Sequence, residues 1–228
     1  MSATHGTNIS TDGIVCCLDP SNKGFQKTPF YIQDHSGNGN DGYLAGGSFT
    51  PSYYQCNGQN DGLRFNLYNP QIWTISMLVS RPASLSRGGT IARIAGTNGV
   101  IDRGEIGIYT GTNDLWVNPP FGGWMPLQES NSTKISLILD ETAYICVTFM
   151  RNTNASNIIG FKNGVRVVET SASGADEGGI SGYTIGNRSD FNGEYLGFRL
   201  YHLTVHTKAL TDNEVAQNFE ALRRRVNL

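Results

Sequence analysis

The feature that most limits what this chain can fold into is a two-residue alternation of apolar and polar side chains, repeated in short runs along its length. In "IWTISMLV", Trp73, Ile75, Met77 and Val79 share one face of an extended segment, with Thr74 and Ser76 opposite. "AYICVTFM" repeats the pattern with Ala143, Ile145, Val147 and Phe149. "EIGIY" gives Ile106 and Ile108, and "KISLIL" gives Ile135, Leu137 and Leu139. Successive side chains on a strand point to opposite faces, so each run reads as a strand with one face on a core. "NIIGFKNGVRVVET" is strand, turn, strand: Asn163-Gly164 readily supplies the two positive φ angles of a type I′ turn and predicts a hairpin. "GYTIG" and "YLGFRLYHLTV" complete the set.

One segment breaks the alternation, and it is the last. Thr211 and Glu214 have the T-x-x-E spacing of a capping box, and Val215, Phe219 and Leu222 follow at i, i+4 and i+7. This predicts a helix over about 211–225 that lays one apolar stripe on the strands.

Composition agrees with many short strands joined by tight turns. Charged residues are 16% of the chain, against about 25% in an average globular protein, and 28 of 228 residues are Gly. That length suits one all-β domain over 1–228, with an N-terminal arm over about 1–12. A net charge of −2 leaves no electrostatic footprint for nucleic acid or an anionic membrane surface. The longest apolar runs are strand-length, too short for a membrane span. "MSATHGTNIS" has no basic segment leading into an apolar one, so we expect no secretory signal and synthesis in a cytoplasm. Cys16 and Cys17 are adjacent, poor geometry for a disulfide framework, and with Cys56 and Cys146 they read as reduced, partly buried thiols.

Four stretches in order resemble the LamG-like, concanavalin A-like jelly-roll family. "TDGIVCCLDPSN", Thr11 to Asn22, is similar to its opening strand, Leu-Asp and small-residue turn. "QDHSGNGNDGYL", Gln33 to Leu44, is similar to its Asp-Leu-Ser-Gly-Asn-Gly-Asn loop, with His35 in the Leu place. "YICVTFMRNTNASNIIGFKNGVRVVET" resembles its central strands and hairpin, here Phe161-Lys162-Asn163-Gly164. "FNGEYLGFRLYHLTVHTKALTDNEVAQNF" resembles its closing strand and helix start, carried by Lys208-Ala209-Leu210-Thr211 and Glu214, although the segment between Gly193 and Ala209 is longer than usual. The resemblance implies an all-β fold: a two-sheet antiparallel jelly-roll sandwich with one C-terminal helix. "THGTNISTDGIV" is further similar to the N-termini of LamG-like structural proteins of tailed bacteriophages. That implies a virion component in a multimeric assembly, with the major capsid protein or tail components as partners.

The architecture hosts lectins, glycan hydrolases, adhesion modules and inert structural modules alike, so the sites must decide. In "QDHSGNGNDGYL", Asp34, Asn38, Asn40 and Asp41 could offer oxygen ligands to Ca²⁺, the one candidate cofactor. The spacing is not that of an EF-hand. The competing reading, which we favour, is turn chemistry: Gly37, Gly39 and Gly42 permit left-handed backbone while the Asp and Asn side chains bind nearby amides. For hydrolysis, the only adjacent acidic pairs are Asp140-Glu141 and Asp176-Glu177. Adjacent strand residues face opposite ways, so both read as turn charges and the chain as a non-enzyme. Of His5, His35, His202 and His206, the last two share a strand face but lie roughly 13 Å apart at strand rise, too far for one zinc ion.

Aromatic residues offer binding instead. Trp116, Phe121 and Trp124 sit in the Pro- and Gly-rich "LWVNPPFGGWMP", and Tyr53 and Tyr54 in "TPSYYQC". Such rings either stack on sugars and dock in partner pockets or roof the core. Arg223, Arg224 and Arg225 either contact an acidic partner or simply complement the helix C-terminus. The expected function is a non-enzymatic virion structural protein, a capsid decoration or tail/fibre-associated adhesion module. The alternatives are a carbohydrate-binding module attaching to cell-surface glycans and, against the missing carboxylate motif, a glycan hydrolase.

Overall fold

The alternating runs pair into two antiparallel sheets that close on a shared core. The computed structural model describes residues 9–21, 26–28, 31–58, 61–65, 67, 72–85, 89–96, 103–108, 113–118, 125–126, 135–152, 155–173, 180–186 and 196–228. The first strands are β1 (Ile14–Leu18), β2 (Gln26–Thr28), β3 (Tyr31–Ile32), β4 (Gly42–Ala45), β5 (Ser48–Phe49), β6 (Tyr54–Asn57), β7 (Gly62–Phe65) and β8 (Ile72–Ser80). They are followed by β9 (Gly89–Gly96), β10 (Arg103–Ile108), β11 (Leu115–Asn118), β12 (Met125–Pro126) and β13 (Thr142–Asn152). The last are β14 (Ala155–Lys162), β15 (Val165–Ser173), β16 (Ile180–Ile185), β17 (Gly197–His206) and the helix α1 (Asp212–Arg223). The first sheet runs β15-β14-β13-β8-β17-β6-β5, with β1 also on β17; the second runs β12-β11-β10-β9-β16-β7-β4-β3-β2. No described helix is long and apolar enough to cross a membrane.

The core is where the two inward faces meet. Trp73, Ile75, Met77 and Val79 of β8 and Ala143, Ile145, Val147 and Phe149 of β13 pack in one cluster with Leu63, Phe65, Ile106, Ile108, Tyr183 and Ile185 of the second sheet. Trp73 and Phe149 are direct cross-strand partners, their rings stacked with centroids 4.8 Å apart. The expected hairpin joins β14 to β15 through Asn163 (φ 51°) and Gly164 (φ 81°), the two positive angles a type I′ turn needs.

The opposite face of β8 is not solvated, as simple alternation would have it. Thr74 and Ser76 are buried, with Leu78 in a second apolar cluster that also holds Ile9, Tyr144, Phe161, Leu210, Val215 and Leu222. The helix and the segment before β1 cover this face of the first sheet. The polar side chains beneath them therefore pair sideways: Thr74 Oγ1 lies 2.9 Å from Thr148 Oγ1, and Ser76 Oγ 2.6 Å from Thr204 Oγ1. The expected "KISLIL" strand does not form: Ser136 makes only an isolated bridge to Asp114, Ile135 and Leu137 reach the core, and Leu139 is exposed where the chain turns at Asp140 (φ 62°).

The capping box forms as its spacing predicts. The Glu214 amide donates to Thr211 Oγ1 at 3.3 Å, and the Thr211 amide donates to Glu214 Oε2 at 2.9 Å. The helix ends at Arg223, short of Arg225, because its last turn tightens: the Arg225 amide bonds to the Leu222 carbonyl. Val215 and Leu222 are buried, Phe219 is half-buried over Gly164, and Asn218 is buried on the same face. Phe219→Ala should accordingly cost only about 1–2 kcal/mol, below the usual range for a fully buried Phe, whereas Leu222→Ala should cost about 2–5 kcal/mol. Urea denaturation of the two variants checks the order.

Candidate functional site

The "QDHSGNGNDGYL" loop is a staple against β1. The Asp34 carboxylate, itself buried, accepts from the amides of Cys17 (2.8 Å), Ser36 (2.8 Å) and Asn40 (2.9 Å) and from the Ser36 hydroxyl (2.7 Å). The Asp34 amide donates to Asp41 Oδ1 at 2.8 Å, and the side-chain Nδ2 groups of Asn38 and Asn40 donate to the carbonyls of Ile14 and Val15. Those donors occupy the lone pairs that a calcium ion would need from Asp34. Gly37 (φ 86°) and Gly39 (φ 75°) are left-handed, as turn chemistry requires. Gly42 is not; it is glycine because a Cβ would stand 2.6 Å from Leu63 Cδ1. Among the described residues, no group of three or more His, Cys, Asp or Glu side chains could hold a metal ion.

A second polar cluster ties the chain's first described residues to its last helix. The Ser10 amide donates to Asn218 Oδ1 (2.7 Å), the Ser10 hydroxyl to Glu214 Oε1 (3.1 Å), and the Ser10 carbonyl faces His206 Nε2 at 3.0 Å. Lys208 Nζ bridges Asp12 (2.6 Å) and Glu214 (2.7 Å). A carbonyl only accepts, so His206 Nε2 carries the proton, and its buried Nδ1 has no partner. Burial lowers the His206 pKa, against the Ser10 carbonyl and the charges of Glu214 and Asp12; Lys208 adds to the lowering. Partial burial pushes the Glu214 carboxyl up, but bonds from Lys208, Thr211 and Ser10 outweigh it and bring it to about 2.

Both shifts favour the deprotonated form in the fold, so acid should weaken it. Loss begins as pH falls below the ordinary imidazole value of 6.5, where the unfolded chain takes up the proton first, and is complete at the lower native value. Glu214 adds a second loss from 4.5 down to about 2. Denaturation midpoints between about pH 7.5 and 5 test the first step; His206→Gln should flatten it.

The helix end makes a related contact. Arg225 Nη1 lies 2.5 Å from Oδ2 of Asp19, which is buried just after β1. Burial raises the Asp19 carboxyl, yet the charges of His202 and Arg225 and the Ser21 hydroxyl win and hold it below the ordinary value. Arg223 pairs with Glu220 at 2.7 Å, and Arg224 is exposed. Two of the three helix-end arginines are thus engaged within the chain.

The aromatic candidates do not converge. Tyr54 is a core residue with no exposed surface, its hydroxyl donating to the carbonyls of Gly46 and Gly62, and so cannot anchor a partner. Tyr53, its neighbour, necessarily faces the other way: it meets Tyr201 edge-on at 5.4 Å, with Arg199 4.8 Å over its ring. Trp116 neither roofs the core nor stands free. It lies on the outer face of the second sheet, 6% exposed, so close over Gly107 that a Cβ there would be 2.2 Å from the indole. Phe121 and Trp124 lie outside the described residues, as do Asp176 and Glu177. Asp140 accepts from the Ala83 amide (2.9 Å) and Glu141 pairs with Lys162 (2.6 Å), so this acidic pair holds turns. Cys16, Cys17, Cys56 and Cys146 are buried free thiols, each pushed up by burial. Sequence reasoning missed Ser10 and Asn218 and weighed His206 only as a zinc ligand; Asn218 left a signal, on the Val215 and Leu222 stripe.

These elements define a jelly-roll type β-sandwich of two antiparallel sheets with one C-terminal helix. No family model and no curated protein sequence matches the chain. Among solved structures it is similar to a sialidase of Trypanosoma rangeli, with a TM-score of 0.64 and 13% identity over 94% of this chain and 33% of that one. It is likewise similar to the receptor-binding domain of a botulinum neurotoxin C/D mosaic serotype, with a TM-score of 0.64 and 14% identity over 92% of this chain and 52% of that one. The chain therefore spans about a third to a half of the chains it matches. At such identities the likeness establishes the fold alone.

Proposed function

We propose that this chain is a non-enzymatic attachment module of the LamG-like type, working as a capsid decoration or tail/fibre-associated component of a tailed-phage virion. The observation that supports it best is what the described carboxylates do. Asp34 and Asp61 hold main-chain amides, Asp212 holds a cation of the chain, and Asp19, Glu141 and Glu214 do both. Glycoside hydrolysis needs a facing acid and base whose environments push their pKa values apart, and these groups serve as scaffolding instead. The virion setting rests on the resemblance of "THGTNISTDGIV" to phage structural proteins. Mass spectrometry of purified virions tests it: the chain should be present in stoichiometric amounts. Polysaccharide hydrolysis abolished by removing one carboxylate would sink the non-enzymatic reading.

A second reading, attachment to cell-surface glycans, draws on the fold. One Trypanosoma rangeli sialidase structure is a complex with sialic acid, and the toxin structure is a receptor-binding domain. A glycan array probed with the full chain tests it.

A further inference from the structure

We propose that the outer face of the second sheet carries a binding row for an acidic saccharide, a sugar unit bearing a carboxylate, formed by Tyr31, Tyr43 and Arg64. Register builds the row. β3, β4, β7 and β16 are successive neighbours, and Tyr31 pairs with Tyr43, Tyr43 with Arg64, and Arg64 with Thr184. The adjoining residues Ile32, Leu44, Leu63, Phe65, Tyr183 and Ile185 belong to the core, so the row faces outward. Neighbouring strands are about 4.8 Å apart, so the three side chains are spread over about 10 Å, the reach of a disaccharide.

Tyr31 and Tyr43 are 42% and 46% exposed, large rings left uncovered on the sheet. Their centroids are 5.6 Å apart at 68°, an edge-on contact in which each ring steadies the other. Arg64 is exposed, and its guanidinium makes no hydrogen bond or ion pair to any described residue. Arg81, Arg166, Arg199, Arg223 and Arg225 each hold an acceptor within the chain. Beyond Arg64 the open surface stops, because Thr184 is fully buried on the same face with its hydroxyl unpartnered. Rigid tyrosine rings offer apolar faces and hydroxyl rims, which suit the C–H face and the hydroxyls of a pyranose. The exposed guanidinium fork matches a carboxylate in bidentate geometry. A row this open does not desolvate its ligand fully, so affinity should be modest and gained by repetition in an assembly.

The inference rests on the attachment reading and deepens it. The full chain, ¹⁵N-labelled, is titrated with sialyllactose, with a glucuronic acid disaccharide, with neutral lactose and with a glutamate-rich peptide. At least one acidic sugar should shift the amides of Tyr31, Tyr43 and Arg64 and bind about tenfold or more tighter than lactose. Arg64→Gln should remove that preference, Tyr43→Ala should weaken both kinds of sugar, and Arg224→Gln, at the helix end, should change nothing. Equal affinity for lactose, no binding of either acidic sugar, an inert Arg64→Gln, or tighter binding of the peptide overturns the row. Acidic sugar bound elsewhere on the chain also overturns it, while leaving the attachment reading intact. Absence of the chain from virions together with an empty glycan array sinks that reading itself.

Discussion

Asp34→Ala should cost about 3–5 kcal/mol, and neither Ca²⁺ nor a chelator should change the melting temperature of the unmodified protein. The carboxylate, itself buried beneath a half-exposed turn, accepts three main-chain amides and one hydroxyl at 2.7–2.9 Å. A hydrogen bond to a charged group contributes about 1.5–3 kcal/mol, and buried donors left without an acceptor lose their solvation as well. The bonds share one acceptor, so the costs do not sum. Loss of this staple also frees the loop from β1, to which Asn38 and Asn40 tie it. Denaturant titration of the variant gives the size. A melting temperature that rises with Ca²⁺ and falls with chelator would assign the loop to a metal after all, because a ligand that binds only the fold stabilises it by mass action.

Phe149→Ala should be as damaging, at about 3–5 kcal/mol, with a single cooperative transition retained. The ring is 1% exposed and stacks on Trp73 across the β8–β13 pair. Its removal leaves a cavity between the two sheets that cannot collapse, since both walls are hydrogen-bonded strands. Trp73→Ala should match it, and the double variant should cost less than the sum, since the stacking contribution is lost once only. Thermal and urea unfolding of the three variants measure this coupling. An additive result would show that the two rings do not act together.

Much of the fold was legible because its causes are local. The strands around Trp73, Val147 and Ile106 follow from period-two burial, the hairpin from two residues that accept positive φ, and the helix start from a capping box spanning four positions. The turn reading of "QDHSGNGNDGYL" was legible for the same reason: Asp34 and Asn38 close bonds within a few residues of themselves. Tyr53 and Tyr54 stood together as partner candidates, and the structure separates them: Tyr54 is buried in the core while Tyr53 lies against Tyr201 and Arg199.

What stayed hidden depends on pairing between distant segments. Nothing near Thr74 or Ser76 announces that a helix more than a hundred residues away covers their face, or that Ser10 sits between Asn218 and His206. Trp116 could be placed on Gly107 only once β10 and β11 were in register. Tyr31, Tyr43 and Arg64 carry no common motif, and only the order β3-β4-β7 sets them side by side. The sequence by itself determined the strands around Trp73, Val147 and Ile106, the tight turn at Asn163-Gly164 and where the helix begins, because steric limits on φ and ψ and the strand period act over a few residues. The tertiary structure decided which polar side chains are buried and which aromatic rings are exposed, because those depend on the register of strands far apart in the chain.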